Sequence, residues 1–145
     1  MATRSMIAIE NEDGSVTSIY CHFDGYPEHN GEILFEHYKD HEKVKKLIAL
    51  GDISILAPTI EIPEGDGHTF GTPTKGIVLA YHRDRGEKFR QSKNKSVDEF
   101  FKGDIQEYGY CFTAAGEWLV KSAYQNGFSG VKLLENVLEA KRKLQ

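Results

Sequence analysis

Two short stretches hold the densest set of side chains able to do chemistry. His22-Phe23-Asp24 and His82-Arg83-Asp84 both read H-x-D, and a tyrosine precedes each: Tyr20 by two residues, Tyr81 by one. In an extended strand, residues two apart lie on one face. His22 and Asp24 would then converge, and so would His82 and Asp84. On neighbouring strands the four groups could meet, and imidazole with carboxylate suits zinc, manganese or iron. The same groups could do acid–base work on a phosphoester. The plainer reading is that both stretches close a strand, where histidine and aspartate often cap the following turn.

A second set is aromatic and cationic. Tyr20, Tyr26, Tyr81, Tyr108, Tyr110 and Trp118 fall on or beside predicted strands, while Arg83, Arg85 and Arg90 fall in or beside the polar segment 84–95. Aromatic rings stack on bases, and arginine forks take phosphates bidentately. That mixture suits a nucleotide-like ligand. Tyrosine and tryptophan also fill sheet faces on packing grounds alone. The RDRGE run could equally be a self-paired, solvated turn.

The elements that must position these groups are legible in outline. SMIAIE (5–10) and VTSIYCHF (16–23) alternate around Asp13-Gly14 and predict a β-hairpin, with Ile19, Cys21 and Phe23 on one face and Tyr20, His22 and Asp24 on the other. Pro27 suits the first turn of a helix whose face holds Ile33, Leu34, His37 and Tyr38. Asp40 can cap a second helix with Val44, Leu47 and Ile48 inward, and Gly51 is its expected stop. The segment 57–75 has three prolines and three glycines and reads as a long loop, of the kind that is often functional. Residues 76–83 predict a strand, Ser96 caps a short helix VDEFFKG, and 107–114 and 118–124 predict two more strands. Gly130 to Leu144 predicts a closing helix with Val131, Leu134, Val137 and Leu138 on one face and a basic end that suits the helix dipole. The order ββαα–loop–β–loop–(α)–ββα predicts an α+β fold: an antiparallel sheet of about five strands with helices packed on one face.

Bulk properties exclude several classes. At 145 residues, a single domain over 1–145 is expected. A net charge of −4 argues against direct nucleic-acid binding. Two distant cysteines, Cys21 and Cys111, give neither a CxxC pair nor a disulfide framework, and free buried thiols are expected. No signal peptide or membrane span is apparent, so a cytoplasmic protein without membrane contact is expected. P-loop, GxGxxG and GxSxG patterns are missing. Cys21 and His22 are strand neighbours facing opposite sides and are no nucleophile–base pair. No catalytic residue, metal ligand or cofactor is therefore assigned.

The stretches IYCHFDGYPEHNG, KVKKLIALGDIS and AYHRDRGE together resemble a family of small phage and prophage proteins with no assigned activity, built on the motif Y-C-H-[FW]-D-G-Y-P. The resemblance runs from the first hairpin through YHRDRGE and fades after about residue 95. It implies an accessory protein of the infected bacterial cytoplasm, where such proteins often act by binding. The leading expectation is thus a non-enzymatic anti-defence protein that sequesters a nucleotide-derived signal. His22, Asp24, Tyr26, His82, Arg83 and Arg85 would form the mouth of its site, with the 57–75 loop closing over it. A homo-oligomer would add area to such a site. Two rivals stand beside it: a metal-dependent phosphodiesterase or other hydrolase using the two H-x-D pairs, and a protein–protein inhibitor that grips a host defence enzyme through the Tyr/Trp face or the last helix.

Overall fold

A computed structural model describes residues 2–143. The hairpin forms as predicted: Ser5–Glu10 (β1) pairs antiparallel with Val16–Cys21 (β2), Ile7 opposite Ile19. Alternation sends Ile7, Ile9, Ile19 and Cys21 to one face, and Met6, Ala8 and Val16 to the other. Each face buries its own apolar core.

Beyond β2 the chain passes through a wide helical turn, Pro27–Gly31, into α1 (Glu32–His37) and α2 (His41–Ile48). Asp40 precedes α2 as predicted, but its side chain makes no capping bond. Gly51 ends this unit at φ +77°, where a Cβ would lie 2.9 Å from the Arg90 carbonyl oxygen. Only glycine meets both demands. The chain then returns as β3 (Ile53–Ile55), parallel to β2. The two helices supply the crossover that a parallel pair requires.

The segment after β3 has one isolated bridge, Thr59 to Ile77, before β4 (Leu79–Ala80), which pairs antiparallel with β3. The predicted strand 76–83 is corrected here. Extended structure stops at Ala80, and Tyr81–Arg85 is a single helical turn, α3, closed by Gly86 at φ +72°. Ser92–Asn94 (β5) pairs with β2 inside the predicted polar loop. Val97–Lys102 (α4) is capped by Ser96, whose Oγ accepts the Glu99 N–H at 3.1 Å. Tyr108–Phe112 (β6) and Trp118–Ser122 (β7) pair as predicted. The last predicted helix starts late: Lys132–Leu133 (β8) pairs with β7, α5 spans Leu134–Lys143, and Val131 is exposed. Leu144, the predicted end, lies outside the described residues.

The α+β class stands, but the sheet is larger and mixed. Its order is β4-β3-β2-β1-β6-β7-β8, with β5 also on β2. The expected five antiparallel strands fail because β1 pairs parallel with β6, from the far end of the chain. Helices also cover both faces. Leu34, Val44, Leu47, Leu134 and Leu138 pack on one, while Phe100 and Phe101 of α4 cover the other. Among the described residues no helix is long and apolar enough to cross a membrane.

Candidate functional site

The corner after β2 is set by Gly25. A Cβ there would lie 2.8 Å from Ser5 Cβ and 2.9 Å from the Thr3 carbonyl oxygen. Its N–H donates to Thr3 at 2.8 Å, and its carbonyl accepts the buried Tyr110 hydroxyl at 2.6 Å. With Gly25 pinned, Asp24 takes φ +58°. Aspartate tolerates that region better than most residues. Buried Asn30 braces the turn: its amide nitrogen donates to the Phe23 carbonyl at 3.1 Å and to Cys21 Sγ at 3.3 Å.

This bend opens the first H-x-D. β2 ends at Cys21, so His22 and Asp24 do not share a strand face. His22 Nδ1 instead lies 2.7 Å from the Tyr20 hydroxyl. Asp24 Oδ2 points toward His29 Nε2, 4.0 Å away. Tyr26 is exposed, with its ring 6.1 Å from that of His29. His29 escaped the sequence reading because it sits inside the predicted helix start. Its signal is its position one turn after the corner.

The second H-x-D comes apart for another reason. Asp84 lies on α3 with its side chain 1% exposed. It accepts from the Ala80 N–H at 2.7 Å and from Arg83 Nε at 2.8 Å, and His68 Nε2 lies 3.3 Å away. Burial pushes the Asp84 carboxyl up, but the Arg83 and Ala80 hydrogen bonds, with the Arg83 charge, outweigh it and hold it below the usual carboxylate value. Arg83 is not at a site mouth. Its guanidinium also donates to the carbonyls of Ile60 and Val78, each at 2.6 Å, so it is spent on holding the chain.

His68 was missed as well. Its Nδ1 accepts the Thr74 N–H at 2.9 Å, which places the ring proton on Nε2, toward Asp84. Asp66 accepts both the His68 N–H at 2.8 Å and the Thr74 hydroxyl at 2.6 Å. The readable signal is Asp66-Gly67-His68, an aspartate turn. The 57–75 segment is thus a fixed wall, tied to α3 through Arg83, Asp84 and His68.

His82 turns outward. Its Nδ1 donates to the Glu87 carbonyl at 2.7 Å, and its ring meets Phe89 edge-on. Arg85 lies over Phe70, 4.3 Å from the ring centre, and pairs with Glu87. Tyr20, Asp52, Tyr81, His82, Lys88 and Arg90 line a polar hollow of about 190 Å³. Burial pushes the Asp52 carboxyl up there, against the Tyr20 N–H bond and the Arg90 charge. The hollow is smaller than the roughly 300–1,000 Å³ of typical small-molecule sites.

A larger cleft, about 550 Å³, lies between the Asp24 corner and the 57–77 wall. Ile33, Ile55, Leu56, Ala57, Pro58, Ile77 and Leu79 are among its apolar lining residues. Asp24, His29, Thr74 and Lys75 are its polar groups. Of the six expected site residues only Asp24 lines this cleft, and His82 lines the smaller hollow. The expected single mouth is therefore divided.

The two H-x-D pairs do not converge, and among the described residues no group of three or more His, Cys, Asp or Glu could hold a metal ion. Burial pushes both Cys21 and Cys111 thiols up to about 12, which leaves neither an activated nucleophile. Comparison with protein-family models, with curated proteins and with solved structures finds no match.

Proposed function

We propose that the chain binds a nucleotide-like small molecule in the cleft between Asp24 and the 57–77 wall, without catalysing a reaction on it. The cleft itself carries this reading. Its volume of about 550 Å³ lies within the usual range for ligand sites, and its lining is mostly apolar with a few polar groups at set points. Aliphatic walls of Ile33, Leu56, Pro58 and Ile77 suit the apolar faces of a base, and Lys75 suits a phosphate. The resemblance to phage proteins supplies the setting: sequestration of a nucleotide-derived defence signal in an infected bacterium.

Protein purified from bacterial cells, denatured and passed through mass spectrometry, tests this directly. Near-stoichiometric release of a nucleotide-like species is the expected result. Ile33→Trp, which fills the cleft, and Lys75→Glu should both lower that yield while the protein stays folded. If nothing is released and a panel of mono- and dinucleotides gives no heat on titration, the reading fails. A pull-down from host lysate then takes up the protein-inhibitor alternative.

A further inference from the structure

Asn30 decides where His29 keeps its proton. The Asn30 amide nitrogen is committed to the Phe23 carbonyl oxygen at 3.1 Å, an atom that only accepts. The Asn30 carbonyl oxygen is therefore the atom 3.0 Å from His29 Nδ1. That oxygen also only accepts, so Nδ1 carries a proton, and in the neutral ring Nε2 presents a lone pair. Nε2 faces Asp24 Oδ2 across 4.0 Å. Two acceptors thus oppose each other over a gap too long for a hydrogen bond between them. The arrangement is held from behind: Asp24 by its left-handed backbone and the pinned Gly25, and His29 by a buried asparagine.

Resting on the nucleotide reading above, we infer that Asp24 and His29 clamp an amino group on the ligand's ring. The ligand class is an amino-substituted heterocycle, such as an adenine-type base, whose ring lies against the apolar cleft walls. One nitrogen can serve both acceptors, because their 4.0 Å separation is less than twice a ~2.9 Å hydrogen bond. An –NH2 group gives one N–H to the carboxylate and the other to the imidazole. An oxo group at the same place would set its lone pairs against both acceptors. A hydrogen bond to a charged group is worth about ten- to a hundredfold in affinity.

Calorimetry on the full chain tests the clamp with adenosine monophosphate, purine riboside monophosphate (hydrogen replacing the amine), inosine monophosphate (oxo) and benzamidine. The expected order is adenosine monophosphate tightest by about ten- to a hundredfold, and inosine monophosphate weakest. Asp24→Asn keeps a side chain tolerant of φ > 0, and by replacing the charged acceptor with a neutral amide should cut the preference about tenfold without moving Tm. Equal affinity for the three nucleotides would overturn the clamp and leave the nucleotide reading standing. Asp24-dependent binding of benzamidine alone would support the clamp and overturn the nucleotide reading. Binding of none would overturn both. Nitrogen chemical shifts of His29 give an independent check, since a proton found on Nε2 in the free protein overturns the assignment.

Discussion

His68 Nε2 lies 3.3 Å from Asp84 Oδ2, with the two side chains 0% and 1% exposed. That contact joins a loop to a helical turn and fixes one wall of the cleft. Asp84 has three N–H donors besides His68, and His68 has the Thr74 amide on its other nitrogen. Each member of the network is satisfied only while the others are in place. His68→Ala leaves the Asp84 carboxylate short of one donor and the Thr74 N–H without its acceptor. The expected loss is about 3 kcal/mol in urea unfolding. Limited proteolysis within 62–75 should quicken at the same time. A loss below about 1 kcal/mol would place the pair among surface contacts of small effect.

Acid should release the same network from the other side. The Asp84 carboxyl is held below its ordinary value in the folded protein. Such a group contributes stability that is fully present above the unfolded carboxylate value of about 3.9 and is lost as pH falls through the lower, folded value. The stability difference between the native chain and Asp84→Asn should therefore narrow as pH falls from about 5 to below about 4. Urea midpoints across that range measure it. A difference that instead widened on acidification would mean the folded carboxyl is raised.

Arg83 and Arg85 should separate cleanly. Arg83 bonds two carbonyls and both oxygens of a buried carboxylate, so Arg83→Ala leaves several groups unpaired. A loss of about 2–4 kcal/mol is expected. Arg85 lies half in solvent, pairs with Glu87 and covers the Phe70 ring. Arg85→Ala should cost about 1 kcal/mol or less. Equal effects on thermal unfolding would contradict this division.

The same arginines show where sequence reasoning reaches and where it stops. The first hairpin was readable because its period of two and its Asp13-Gly14 turn are local. The parallel pairing of β1 with β6 was not, since it joins residues about a hundred positions apart. α3 looked like strand because Leu79 to Tyr81 favour extension. What makes it a helical turn is the Asp84 carboxylate reaching back to the Ala80 N–H, with Gly86 as the stop. Arg83 looked free for phosphate because its carbonyl partners, Ile60 and Val78, carry no sequence signature. Asp24 was legible as a candidate, but the reason for it, that the turn had no use for an aspartate, fails, because Asp24 takes φ +58° there. His29 was hidden because a histidine in a helix start is ordinary.

The corner that carries Asp24 should depend on glycine at position 25 more than at any open loop position. Gly25→Ala would place Cβ 2.8 Å from Ser5 Cβ and 2.9 Å from the Thr3 oxygen, and both are parts of the β1 approach that cannot swing aside. The chain would have to give up the Gly25–Thr3 bond, the Tyr110 hydroxyl bond, or both. A loss of about 2–4 kcal/mol is expected, as for other overpacked positions that also lose hydrogen bonds. Gly65→Ala is the control. That glycine takes φ +82° with nothing near its Cβ position, so only the backbone cost of about 1–2 kcal/mol applies. Because the Tyr110 hydroxyl reports the corner directly, its slow solvent exchange should be lost in the Gly25 variant and kept in the Gly65 variant. An equal cost in both would mean that the close approach to β1 adds nothing and that the corner is held by Asn30 alone.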